Sequence, residues 1–227
     1  ESRPIGRLLC CYFILRVVRN LYKDRYKLSY ENSTRAIFTG EGKLDIPIIK
    51  PTSAIERDFI GFNEAMSSKK TDCGIHFFLD DYQFMRLWNN PERYIDLLKK
   101  FNCVLSPDFS LYLDYPQALQ IYNHYRKHWL AAYWQMYGIE VIPTICWSNE
   151  KSFEWCFDGE PKHSTVAVSS IGTQNNKTAK ELFLKGYNEM MKHLQPEAII
   201  FYGKAPEECA GNIINIKSFQ EKFRGVK

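Results

Sequence analysis

No stretch of this 227-residue sequence approaches the roughly 20 consecutive apolar residues that a membrane-spanning helix needs. The apolar run at residues 8–15 is eight residues long and is followed by Arg16 and Arg19 in place of a small-residue cleavage site, so it reads neither as an anchor nor as a signal peptide. The seven cysteines include no CxxC pair and no Cys/His cluster at zinc-finger spacing, which leaves no structural zinc motif. Their odd number and scatter fit a reducing, cytoplasmic setting, in which thiols act as small buried hydrophobes. Walker A, GxGxxG, GxSxG and HExxH patterns are absent, as are internal repeats and low-complexity tracts.

What is present is an ordinary globular composition, 45% hydrophobic and 25% charged, which excludes a disordered, collagen-like or polycationic chain. The net charge of +4 is uneven. Residues 1–72 carry 13 basic and 9 acidic side chains, and residues 73–227 carry 17 of each. The excess therefore belongs to an N-terminal segment, residues 1–45, expected to be helical, and the remainder, residues 46–227, reads as a single charge-balanced α/β domain. Arg16, Arg19 and Lys23 on that segment are the candidates for contact with nucleic-acid phosphates, set against the plainer reading of a solvated face on a packed helix.

From residue 46 onward short β-branched runs alternate with segments of helical period, the pattern of repeated β/α units. Strands are expected at 46–49, 74–79, 103–105, 140–146, 165–169, 198–202 and 213–216. Helices are expected near 54–66, 82–100, 115–137, 151–156, 177–194 and 205–210. The strand spacing favours a TIM-barrel-like arrangement, complete or incomplete, with an open doubly wound sheet as the alternative. In the segment 115–137 the stripe Tyr122, Tyr125, Trp129, Tyr133 and Tyr137 is assigned to the core, and Asn123, Arg126 and Lys127 to the polar face.

Either architecture gathers functional groups beyond the carboxyl ends of its strands, where apolar runs turn polar. Asp80, Asp81 and Asp108 stand at such junctions. Carboxylates there serve as acid–base groups or as ligands of a divalent metal, although Asp in this position is also a favoured helix cap. Ser170, Gly172 and Thr173 precede a helix and Gly203 and Lys204 end the next strand, a combination suited to a phosphate and equally to plain turn chemistry. Trp147 offers a stacking surface for a ring or packs as core. His124 and His128 lie four apart on a helix, but the sequence shows no third ligand, and which metal or cofactor is used, if any, is left open.

The junction strings His76-Phe77-Phe78-Leu79-Asp80-Asp81-Tyr82, Leu105-Ser106-Pro107-Asp108-Phe109-Ser110, Pro143-Thr144-Ile145-Cys146-Trp147-Ser148 and Phe153-Glu154-Trp155-Cys156-Phe157-Asp158-Gly159 resemble the domain-of-unknown-function family 4417. The resemblance runs over about residues 46–205. It implies a cytosolic bacterial or phage protein of the kind carried by mobile elements, and it supplies no mechanism. The residues themselves support two expectations: an enzyme acting on a phosphorylated or nucleotide-type small molecule through strand-end carboxylates, or a non-catalytic module that binds nucleic acid or protein. Neither involves a membrane.

Overall fold

The computed structural model describes residues 35–174, 176–218 and 221. Most of the N-terminal segment, including Arg16, Arg19 and Lys23, lies outside the described residues, and so does its expected helix. The described residues from Phe38 onward form one compact unit. Its first element is a hairpin, β1 (Gly40–Glu41) against β2 (Ile46–Pro47), paired antiparallel. The run at 46–49 thus enters a hairpin and not the main sheet.

The main sheet is parallel throughout. Strands β3 (Phe59–Gly61), β4 (Gly74–His76), β5 (Cys103–Leu105) and β6 (Val141–Ile142) pair in chain order, as do β7 (Thr165–Ser169), β8 (Ala198–Tyr202) and β9 (Ile213–Ile216). A parallel bridge between Thr144 and Ala167 joins the two groups, with Ile145 N donating to Ala167 O at 2.8 Å and Ala167 N to Pro143 O at 2.8 Å. The order therefore runs from β3 to β9 without the reversal of a doubly wound sheet. Among the described residues β9 is not paired with β3, so closure of a barrel is not seen.

The sheet nevertheless curls strongly. His76 on β4 and Phe78 just beyond it meet Tyr202 at the end of β8, with ring centroids 4.8 and 4.6 Å apart. Those strands are four places apart in the order, which in a flat sheet would separate them by roughly 19 Å.

Local chemistry explains most elements. In β7 and β8 nearly every residue is buried, as befits parallel strands covered on both faces. Five α-helices accompany the strands among the described residues: α1 (Phe62–Ala65), α2 (Asp81–Asn89), α3 (Ile95–Leu98), α4 (Gln117–Met136) and α5 (Lys177–Leu194). Helix α5 begins where the Asn176 side chain accepts from Thr178 N at 2.9 Å and Ala179 N at 3.3 Å, and it buries Phe183, Tyr187, Met190 and Leu194 at three- and four-residue steps.

Three further expectations need correction. Phe59–Gly61, inside an expected helix, is a strand, because its alternating burial and its neighbour β4 outweigh local helix propensity. Residues 205–210 form turns and no helix. Most consequentially, the polar side of α4 is not a solvated face: Asn123, His124, Arg126, Lys127 and His128 are all buried.

Candidate functional site

A cleft of about 390 Å³ opens beyond the carboxyl ends of β4 to β7. Phe78 comes from the exit of β4, Asp108 from that of β5, Ile145, Cys146, Trp147 and Ser148 from that of β6, and Ser169, Ile171, Gly172 and Thr173 from that of β7. Tyr112, Leu113 and Phe183 complete much of the wall. The lining is mainly apolar and aromatic, and among the described residues Asp108 is its one charged side chain.

Asp108 is recessed. Burial pushes its carboxyl up to about 6; the Lys127 ammonium opposes that rise, the Asp81 charge adds to it, and a hydrogen bond from the Cys146 thiol favours the ionised form. A carboxyl placed so is mainly ionised at neutral pH, with about a tenth still protonated, so it can take a proton there and give one at slightly acidic pH. The Cys146 thiol is itself pushed up to about 12, chiefly by burial, so it is a hydrogen-bond donor here and not a nucleophile.

The other two carboxylates behave differently. Asp81, the first residue of α2, accepts from Ser110 N at 3.2 Å and from Ser110 Oγ at 2.9 Å, tying α2 to the loop that leaves β5. Its carboxyl is raised by burial, against the pull of those bonds and of Arg126. It lies near enough to Asp108 to repel it electrostatically. Asp80 stands at the N-cap of α2, exposed, with no capping bond from its side chain. Asp81 and Asp108 thus share one region, while Asp80 faces away into solvent.

Of the residues expected to hold a ring or a phosphate, Trp147, Gly172 and Thr173 line the cleft. Trp147 packs on Phe183, ring centroids 5.3 Å apart, and it does so over Gly186 of α5, where any Cβ would collide with the indole. The rest of the expected cradle is not assembled. Ser170 is buried and donates its hydroxyl to Lys204 O at 3.1 Å, Gly203 lies beneath Ile171, and the exposed Lys204 is not part of the cleft wall. Thr173 Oγ1 is spent on Ser170 O at 2.8 Å. Among the described residues no lysine or arginine lines the cleft.

Beneath Asp108 and Cys146 runs a buried polar network that sequence reasoning missed. Lys127 Nζ donates to Glu160 Oε1 at 2.6 Å and to Thr144 O at 2.9 Å, and lies 3.9 Å from Cys146 Sγ. Burial alone would depress the ammonium, but the Glu160 and Asp108 carboxylates outweigh it and the side chain stays a cation. Glu160 is likewise held ionised: burial works against the charge, and the Lys127 ammonium above all overcomes it. The signal available in the sequence was the spacing of His124, Lys127 and His128, which at i, i+3 and i+4 share one helical face. Glu160 carries no local signal at all, because it reaches the helix only through the fold.

This is a parallel β/α scaffold with a strand-end cleft backed by an interior charge network. The chain belongs to the family described as Domain of unknown function (DUF4417), which matches residues 38–220. Two relatives are phage proteins. The Gene 1 protein of Mycobacterium phage L5 is 41% identical over 173 residues, covering 75% of this chain and 76% of its own length. The Gene 1 protein of Mycobacterium phage D29 is 38% identical over 173 residues, and the match spans 75% of this chain but only 64% of the D29 protein. No solved structure matches the chain. None of its described helices is long and apolar enough to cross a membrane.

Proposed function

We propose that this phage-type protein is an enzyme whose active site is the strand-end cleft, acting on a nucleotide-type ligand that it holds chiefly by its ring, with Asp108 as the acid–base group. The observation that carries this reading is the position of Asp108: among the described residues it is the single charged side chain in an aromatic cleft, at the carboxyl end of a parallel strand, with a carboxyl pushed up to about 6. Phe78, Tyr112 and Trp147 supply ring-sized apolar surface. The apolar and aromatic side chains that dominate the described lining place the emphasis on the ring. Gly172 and Thr173 remain as the polar end of the cleft, where a ribose or phosphate would lie.

The same reading takes strands β3 to β9 as an incomplete barrel. The support is their sequential parallel order, the Thr144–Ala167 bridge and the contact of His76 with Tyr202 across the curl. A cytosolic setting agrees with the five described cysteines, all free thiols.

The test is a panel of nucleosides and nucleoside mono- and triphosphates presented to wild type and Asp108→Asn, with binding followed by saturation-transfer NMR and turnover by mass spectrometry. At least one compound is expected to bind saturably and to be converted by wild type, with conversion lost and affinity kept within about tenfold in the variant. Failure of every compound to bind wild type at millimolar concentration would sink the nucleotide-type reading.

A further inference from the structure

Acceptor atoms of three buried side chains, His124, His128 and Glu160, converge below the cleft. His128 Nδ1 lies 2.9 Å from the carbonyl of Pro47 and donates a proton to it, and in the neutral ring, which burial favours, the Nε2 lone pair then points outward. That lone pair faces Glu160 Oε1 at 3.0 Å, and a carboxylate oxygen is also an acceptor. His124 repeats the pattern in mirror form. Its Nε2 is 3.3 Å from Asp158 O and donates there, so Nδ1 bears the lone pair, and Nδ1 is buried without a hydrogen-bond partner. Glu160 Oε2 is buried without a partner as well.

The arrangement is what a cation needs. The two imidazole rings stand with centroids 4.3 Å apart, and one ligand atom from each of His124, His128 and Glu160 falls within 4.8 Å of the others. A tetrahedral ion with bonds of about 2.1 Å sets its ligands about 3.4 Å apart, so the cluster closes around one by shifts of about an ångström. Each imidazole is oriented by a backbone carbonyl on its far nitrogen, the support that fixes tautomer and direction in metal-bound histidines. Lys127 occupies the Oε1 side of Glu160 and leaves Oε2 for a second bond.

The surrounding backbone is shaped to the same end. Gly159 adopts a left-handed φ of 74°, and a Cβ there would come within 2.9 Å of His128 Nδ1 and 2.7 Å of Pro47 O. Only glycine lets the Asp158–Glu160 turn approach the His128 ring closely. The hairpin holds that turn in place, with Glu41 Oε2 accepting from Gly159 N at 2.7 Å.

We infer that His124, His128 and Glu160 form a binding site for one divalent transition-metal ion, with Zn²⁺ as the fitting class. Two nitrogens and a carboxylate make a borderline donor set of the kind that suits zinc and, in its place, cobalt or nickel. The sequence alone shows the two histidines without a third ligand; the fold supplies it from 32 residues away. The site stands apart from the cleft proposal, because none of its three ligands lines that cleft.

The experiment uses the full chain, refolded or exchanged in chelator and then titrated with Co²⁺ and Zn²⁺. Wild type is expected to take up one Co²⁺ per chain with visible d–d absorption of low-symmetry, four-coordinate intensity, displaced by one equivalent of Zn²⁺. His124→Asn, which keeps size and polarity, and Glu160→Gln should weaken binding by at least 100-fold. Because these positions are fully buried, far-UV circular dichroism is recorded for each variant, and the wild-type cobalt spectrum stands as a readout that needs no variant. Zinc titration followed by long-range ¹H–¹⁵N NMR should move His124 Nδ1 and His128 Nε2 and leave the carbonyl-bonded nitrogens protonated. Absence of any cobalt band and of stoichiometric zinc in wild type, or equal binding in folded variants, would overturn the site and assign the cluster to hydrogen-bonded water instead.

Discussion

Lys127 and Glu160 form an ion pair at 2.6 Å with both side chains almost entirely removed from solvent. It joins the middle of α4 to the turn that follows the β6 exit, and it brings a fixed positive charge to the floor beneath Asp108. Breaking one member of such a pair leaves the other charge buried and uncompensated. In chelator, Lys127→Met is expected to lower unfolding free energy by about 3–5 kcal/mol. The double variant Lys127→Met, Glu160→Met should recover at least half of that loss, as read by urea denaturation. A double variant no more stable than the single one would show that the pair is not what the fold depends on here.

Asp108 sets a pH dependence of opposite sign to that of most carboxylates. Its carboxyl is raised to about 6, so the folded chain binds this proton more tightly than the unfolded chain does. The stability contributed by the group is complete below the ordinary carboxylate range and is lost as pH rises through about 6. Asp108→Asn should therefore match wild type near pH 4 and exceed it by on the order of 2 kcal/mol at pH 7.5. Thermal melts at the two pH values measure this. A gap that does not change with pH would mean that the carboxyl titrates normally.

Gly186 offers a test of how the cleft wall is built. Alanine is the better helix former by about 1 kcal/mol, yet here its methyl would run into the Trp147 indole. Gly186→Ala is expected to destabilise by about 1–2 kcal/mol net and to shift the Trp147 emission, seen by comparison with the same change in a Trp147→Phe background. Unchanged emission with raised stability would show that the indole is not pinned against α5.

Asn176 caps α5 with two bonds to backbone N–H groups at the edge of the cleft. Asn176→Ala should cost about 1 kcal/mol and raise amide hydrogen exchange in the first turn, around Thr178 and Ala179, before the rest of the helix. Exchange that stays uniform along α5 would show that the cap is dispensable.

The sequence by itself determined the strand runs at 103–105, 165–169, 198–202 and 213–216 and the helix Lys177–Leu194, because each satisfies its own periodicity and caps locally. It also determined that Asp108 and Trp147 stand at strand exits, since an apolar run turning polar marks such an exit in any parallel arrangement. Tertiary structure decided the rest. Phe59–Gly61 is a strand because β4 is there to pair with it, and Asp80 and Asp81 part company because one faces solvent and the other meets Ser110. The face of α4 that bears His124, Lys127 and His128 looks solvated in one dimension. It is buried because the hairpin, the β6 exit and Glu160 close over it, and buried polar groups hold their place only where such distant partners satisfy them. Those partners lie 17, 33 and 81 residues away along the chain, beyond the reach of any local pattern.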